Sequence, residues 1–427
     1  MPTQRHPLKI NGFWEPQSHV IYQLNGRDRT ISLLAQFQII TKSWNRAVAK
    51  PYLVYMPEKN SLLMLVSCDY PQRAMVMSSN DQGALWSAPK DLHLDGQGKP
   101  HVDPCTCLAY LGHGKVMVTE VAKSRRWLSD DYGETWHDAF PVPPFLNGET
   151  WYQWDPQLVD RDPDTGKVIR ILETGFLFDK AAYEQSMPIF TDGYIRFSAD
   201  ECHTWSEAIK IPWWHGVGEV ALIRARNSNI VAACRTNMPR KFKGYCGDHN
   251  CGLGVSISTD NGYTWSKLNM LYEWGRHHPS MVLLPNGDIV MTYVARLGYA
   301  DTPEGFPQYG IEAVVSYNHG ESWDLDHRYF LATWKGLYKR PSYTCSSQST
   351  SSLLLPDGTI LSAFGTGYRV QFGPLGEGDH PRPRDVGLVR WHVNSKGLNS
   401  DQTITQSPFD SDLRNQFDLR LLRHEIL

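Results

Sequence analysis

The chain has 427 residues, with 42 Lys+Arg against 45 Asp+Glu and a net charge of -3, a balance that argues against nucleic acid as the main partner. Hydrophobic residues at 41% and charged residues at 20% fit a folded protein rather than a disordered one, and no run of 18 apolar residues offers a membrane-spanning helix. Aromatic residues reach 12%, which suits both β-rich cores and sugar-binding clefts.

The segment Met1–Pro7 has no apolar stretch and no small-residue cleavage site, which predicts a cytoplasmic protein without a secretory signal. Further along, one short pattern returns five times: Ser79-Asn-Asp81-Gln-Gly83-Ala-Leu-Trp86, then Ser129–Trp136, Ser198–Trp205, Ser258–Trp265 and Ser316–Trp323. Successive starts are 50, 69, 60 and 58 residues apart. The residue types are those of a tight turn. Ser and Asp fold back onto backbone N–H groups, Gly accepts positive φ, and Trp anchors the turn on its strand. The motif is therefore read as structural. Cys202 stands where Gly is expected, and Asn318 where Asp is expected.

Upstream of each copy lie apolar runs divided by turns. Examples are Met281–Val294 around Asn286-Gly287 and Ser352–Phe364 around Asp357-Gly358, both strong hairpin signals. Each unit thus reads as four antiparallel strands, and radial repetition of such units predicts an all-β, six-bladed β-propeller. The sixth blade runs from about Ser349 through Val386–Val393 and lacks the motif, so residues within Gly12–Leu34 are expected to help close the ring. Gly373–Arg384 reads as a surface loop, and Leu413–Leu427 as a short docked helix. No linker or low-complexity stretch divides the chain, so residues 1–427 read as one domain. Most cysteines fall inside apparent strands rather than in a disulfide framework. Cys246, His249 and Cys251 make an incomplete metal loop, so no metal is expected there. With no Gly-rich phosphate loop and no His-Glu-x-x-His, no cofactor is expected either.

The five turns resemble the Asp boxes, or BNR repeats, of the sialidase (neuraminidase) superfamily, over about Lys50 to Val393. The resemblance implies a central-funnel site on the face away from the Asp boxes. Aligned on their turns, the blades bring Lys50, Asp103, Asp155, Glu219, His278 and Gln348 or Ser349 to first-strand entrances. Asp69, Glu120, Glu173, Arg235, Arg296 and Arg369 fall near the ends of the following strands. Each could equally be a salt bridge or a loop cap. Together they suggest a polar ligand site.

Glu219 followed sixteen residues later by Arg235 reproduces a family spacing. By resemblance, Glu219 is the carboxylate that deprotonates the nucleophile and Arg235 grips a substrate carboxylate. Asp69 is then the acid/base, with Arg296, Lys50, Asp155, Glu173, Glu120 and His278 around the substrate. The sequence also departs from the family. Ala49-Lys50-Pro51-Tyr52 replaces the first arginine motif, the third arginine's place falls near Gln308, and Ser349 stands where the nucleophilic Tyr belongs, with Tyr338, Tyr343 and Tyr368 as neighbours. Glu219 with Asp69, Asp155 or Glu173 could instead act as a two-carboxylate pair. The expected function is an exo-acting glycoside hydrolase of sialidase type, releasing a terminal acidic sugar from a glycan or oligosaccharide. The alternatives are a non-catalytic carbohydrate-binding propeller, or a glycosidase or lyase of the same fold on another sugar, the lyase using His278 and a nearby Tyr. The partner in each case is carbohydrate, not nucleic acid or membrane.

Overall fold

The computed structural model describes residues 17–25, 29–44, 46–69, 72–185, 190–237, 251–296, 309–334, 349–368, 383–394 and 404–406. Outside them lie Cys246, His249, Gln308, Tyr338, Tyr343, Gln348, Arg369, most of the Gly373–Arg384 loop and the Leu413–Leu427 tail, along with the side chain of Tyr368. The chain gathers into two compact units, one of Lys50–Asn237 with Gly254–Asn269, the other of Met1–Ala49, Met238–Leu253 and Met270–Leu427.

The first of these units is built on four-stranded antiparallel sheets spanning residues 48–91, 105–141, 158–215 and 217–272. Each is an up-and-down meander with strands in sequence order, as a propeller blade has, and each places its Ser-Asp turn between the third and fourth strands. The turn forms as its residue types dictate. Ser79, Ser129, Ser198 and Ser258 each accept the backbone N–H of the residue four positions on, at 2.7–2.9 Å. Asp81, Asp131, Asp200 and Asp260 each accept a second N–H four residues on, at 2.8–2.9 Å. Each Trp indole N–H closes the turn on the carbonyl at the Gly position. Gly133, at φ 83, also lets the second turn press on the first sheet, since a Cβ there would sit 2.6 Å from Leu63 Cδ2. Cys202 adopts the same left-handed conformation at φ 74, a strain that non-glycine residues resist, and its side chain is buried with Ala109, Leu111, Met117 and Ile171.

Among the apolar clusters that stabilise this unit, two are largest. One joins Tyr52, Leu63, Leu65 and Val76 to Leu108, Val118, Trp127 and Trp136, and the other joins Leu172, Ile195 and Phe197 to Trp214, Val220, Ile230 and Trp265.

The second unit corrects the expectation of six separate blades. Its strands form one ten-stranded sheet, so the described residues give four four-stranded sheets and a larger one. The strands Arg276–Leu283, Ile289–Ala295, Tyr309–Ser316 and Tyr329–Trp334 make a meander around the fifth turn. In that turn Asn318 Oδ1 takes the aspartate's place, accepting the Ser322 N–H at 2.9 Å. Thr350–Leu354, Ile360–Tyr368 and Arg384–Trp391 make only three strands, and Arg29–Ile39 supplies the fourth by pairing Gln36–Ile39 with Arg390–Gly387. Gln17–Leu24 then pairs with Arg29–Ile39 on one side and meets Tyr329 and Phe330 on the other, fusing the two sets. N-terminal strands therefore do complete the last sheet, but the contact with Arg384–Trp391 lies just beyond the expected Gly12–Leu34. Thr41 locks it, donating its hydroxyl to Asp385 Oδ1 at 2.8 Å.

Candidate active site

The first strand of several sheets carries a β-bulge at its third residue. In Val217–Arg224, Val217 pairs with Thr236 and Val220 with Cys234, so Gly218 and Glu219 together oppose Arg235. Bulges of this kind re-aim side chains and gather next to active sites. Here the bulge brings Glu219 Oε1 to 2.8 Å from Arg235 Nη1, both side chains being mostly buried at 11% and 16% exposure. Glu219 and Arg235, sixteen residues apart, thus pair with each other across the strands. In the sheet of residues 105–141 the bulged residue is Cys107 (φ 59) rather than Asp103, and burial pushes its thiol up to about 12, so it stays neutral.

Lys50 is the third residue of Val48–Met56 and adopts φ 54. Its Nζ bonds Gln72 Oε1 at 3.3 Å and lies 4.8 Å over the Trp154 ring. Two residues on, and so on the same strand face, Tyr52 is 4% exposed and donates its hydroxyl to the Trp154 carbonyl at 3.0 Å. Burial above all, with the Glu219 carboxylate adding to it, pushes the Tyr52 phenol well above its usual range. It is therefore a neutral donor and not an activated nucleophile.

Asp155 follows Trp154 in the loop between the second and third sheets. Burial and then the charge of Glu219 push its carboxyl well above the ordinary carboxylate range, against the opposing pull of Arg235 and a hydrogen bond from the Val220 N–H. Oδ2 is buried with no hydrogen-bond partner among the described residues. Two carboxyl groups thus interact electrostatically, the Asp155 carboxyl shifted toward its protonated form and Glu219 beside a guanidinium. Such splitting is how acid and base roles are divided between like groups.

The other predicted residues are placed differently. Asp69 (φ 64) lies just past the end of its sheet's second strand, Ser61–Cys68, about one-third exposed, in an ion pair with Arg73 at 3.4 Å; Arg73 also reaches Asp91 at 3.1 Å. Glu120 is fully buried and caps its own neighbourhood, accepting from the Asp103 N–H, Lys123 Nζ and Trp127 Nε1 at 2.7–2.9 Å. Glu173 is clasped by Arg126 Nη2 on both oxygens (2.9 and 2.8 Å) and by Arg196 Nε at 2.6 Å, all three side chains being at most 3% exposed. Burial alone would raise the Glu173 carboxyl, but the two guanidiniums outweigh it and hold it below its usual value. These two carboxylates bind the chain to itself. In the other unit, His278 (φ 51) sits in the bulge of Arg276–Leu283 with its ring against His277, Arg296 is buried with its N–H on the Gly275 carbonyl, and Ser349 is buried at 5% exposure.

Sequence reasoning assigned no role to Tyr52 or Trp154. The alternation Lys50-x-Tyr52 on a strand and the placement of Trp154 beside an acidic residue were the available signals.

No protein-family model matches the chain, and no curated protein matches it. Among solved structures it is similar to a protein of unknown function from Dyadobacter fermentans (13% identity, TM-score 0.59, covering 84% of this chain and 98% of that one). It is also similar to the NanB sialidase of Streptococcus pneumoniae (12% identity, TM-score 0.55, 82% and 69% covered) and to the arabinofuranosidase Arb93A of Fusarium graminearum (13% identity, TM-score 0.51, 81% and 93% covered). At these identities the likeness is one of fold: the chain has the all-β, sialidase-like architecture that a sialidase and an arabinofuranosidase share.

Proposed function

We propose that the protein is a glycoside hydrolase that releases a terminal sugar, with Asp155 as general acid and Glu219 as the second carboxylate. What supports this reading is the Asp155/Glu219 pair, in which burial and the neighbouring charge raise the Asp155 carboxyl while Glu219 lies 2.8 Å from Arg235. In the reaction, Asp155 gives its proton to the leaving glycosidic oxygen as the bond to the anomeric carbon breaks. Glu219 takes a proton from the attacking water, or attacks the anomeric carbon and is later displaced by water; the anomer of the first product distinguishes the two. Asp155 replaces Asp69 in the acid role because a general acid must hold its proton near the working pH, and it is the Asp155 carboxyl that is buried beside a second charge.

Arg235 and Lys50 supply the positive charge that favours an acidic sugar, and the sialidase likeness is consistent with that preference. A glycosidase acting on a non-sialic sugar is the second reading. It is favoured by Lys50, a point charge where a bidentate arginine would be expected, and by the likeness to an arabinofuranosidase. A panel of aryl sialosides, uronides, rhamnosides and arabinofuranosides tests both. Release of one aglycone, abolished in Asp155→Asn and in Glu219→Gln, is the expected result. Release from none of them defeats the proposal.

A further inference from the structure

Three of four consecutive residues that include the Asp155 carboxyl carry a buried polar atom without a hydrogen-bond partner among the described residues: Trp154 Nε1, Asp155 Oδ2 and Gln157 Oε1. Buried polar groups are almost always satisfied, so three orphans within four residues call for a common cause. Each of these side chains or its backbone is nevertheless tied down at another point. Tyr52 holds the Trp154 carbonyl at 3.0 Å, and Lys50 Nζ covers the Trp154 ring at 4.8 Å. The Val220 N–H bonds the Asp155 carboxyl, and Gln157 Nε2 reaches Glu173 Oε2 at 3.3 Å. The strip is thus fixed while its free donor and acceptors stay unspent, which is the arrangement of a preorganised binding surface.

Resting on the glycoside-hydrolase reading, we propose that Trp154 is a specificity-determining residue whose indole N–H donates to an acceptor oxygen of the sugar bound at Asp155 and Glu219, with Lys50 and Tyr52 as the residues that position it. An indole N–H is a donor only. Its partner is therefore a hydroxyl, carboxylate or amide oxygen of the sugar, and a ligand with no acceptor there loses the bond. Gln157 Oε1 supplies the complementary acceptor for a sugar hydroxyl.

The test is a spectrum of the fifteen tryptophan indoles in 15N-labelled protein, with the Trp154 resonance assigned by its absence in Trp154→Phe and its displacement in Tyr52→Phe. N-acetylneuraminic acid, galacturonic acid, L-arabinose and L-rhamnose are added singly. The expected result is that the Trp154 resonance moves with the sugar whose aryl glycoside the enzyme cleaves, and that Trp154→Phe, which keeps an aromatic ring over Lys50, lowers kcat/KM for that glycoside about tenfold, mainly through KM. Should Trp154→Phe not fold, the wild-type titration still decides, with Tyr52→Phe giving the assignment. A glycoside cleaved with its sugar leaving the Trp154 resonance unmoved overturns this inference and leaves the hydrolase reading standing. A resonance that moves with a sugar when no glycoside is cleaved supports the binding role and defeats the hydrolase. Neither movement nor cleavage overturns both.

Discussion

Glu173→Gln separates a structural carboxylate from a substrate-binding one. The substitution keeps shape and removes charge from a side chain that is 2% exposed. In the native chain two guanidiniums share this one carboxylate through bonds of 2.6–2.9 Å, and Gln157 adds a fourth at 3.3 Å. Without it, Arg126 and Arg196 become two buried cations facing an amide, left with the Trp205 ring (4.8 and 4.9 Å), the Trp151 ring (4.0 Å from Arg196) and the Pro143 carbonyl (2.8 Å from Arg196 Nη1), none of which carries a neutralising charge. Breaking a buried ion pair by removing one member costs about 3–5 kcal/mol. The exposed pair Lys90–Glu134, at 45% and 59%, is the control, and Glu134→Gln is expected within about 0.5 kcal/mol of wild type. Urea unfolding followed by tryptophan fluorescence measures both.

The pH dependence has a defined sign. The Glu173 carboxyl is depressed in the folded chain, so its contribution is present above the unfolded carboxyl value of about 4.3 and is lost as pH falls through the lower folded value. The gap between wild type and Glu173→Gln therefore closes on acidification. A loss below about 1 kcal/mol at pH 7, or a gap that widens in acid, would refute the assignment of Glu173 to the framework.

Asp155→Asn is expected to lower glycoside hydrolysis by at least about 100-fold while raising stability at pH 7. Because the folded carboxyl is raised, its burial penalises folding once the unfolded form ionises; the gain should vanish below about pH 4, and a variant less stable than wild type at pH 7 would contradict the burial argument. For the wild-type enzyme, kcat/KM should fall as pH rises through the elevated Asp155 value, and an activity already lost near pH 4 would exclude Asp155 as the acid. Gly133→Ala should destabilise by more than about 1 kcal/mol in thermal or urea unfolding, since alanine at φ 83 is strained and its Cβ meets Leu63. Thr41→Val should cost about 1–3 kcal/mol, because it strips a buried hydrogen bond from Asp385 and leaves the Val386 N–H without its Thr41 acceptor at 3.1 Å; a neutral result would show that the N-terminal strand is held without that lock.

How far the sequence reached follows from the range of the forces involved. The five Ser-Asp turns were legible because every bond in them spans two to four residues, so residue type alone dictates them. The hairpins at Asn286-Gly287 and Asp357-Gly358 were legible for the same reason, with Gly287 at φ 97 and Gly358 at φ 84. Glu219 and Arg235 were singled out by a family spacing, and a bulge between Val217 and Val220 sets them against each other across adjacent antiparallel strands. Other features depended on partners far along the chain. The Asp155 carboxyl is raised by burial and then by Glu219, 64 positions on, and its loop is held by Tyr52, 102 positions before Trp154. Glu173 and Glu120 look like site residues in the sequence, and only packing commits them to arginines, a lysine and an indole already inside the protein. The fusion of two strand sets into one sheet likewise rests on Tyr22 and Gln23 meeting Phe330 and Tyr329, a pairing that no local pattern encodes. Local hydrogen bonding made the strands and turns readable in order, whereas burial and long-range charge, which exist only after the chain has folded, decided which carboxyl groups are bound into the framework and which have their acidity shifted.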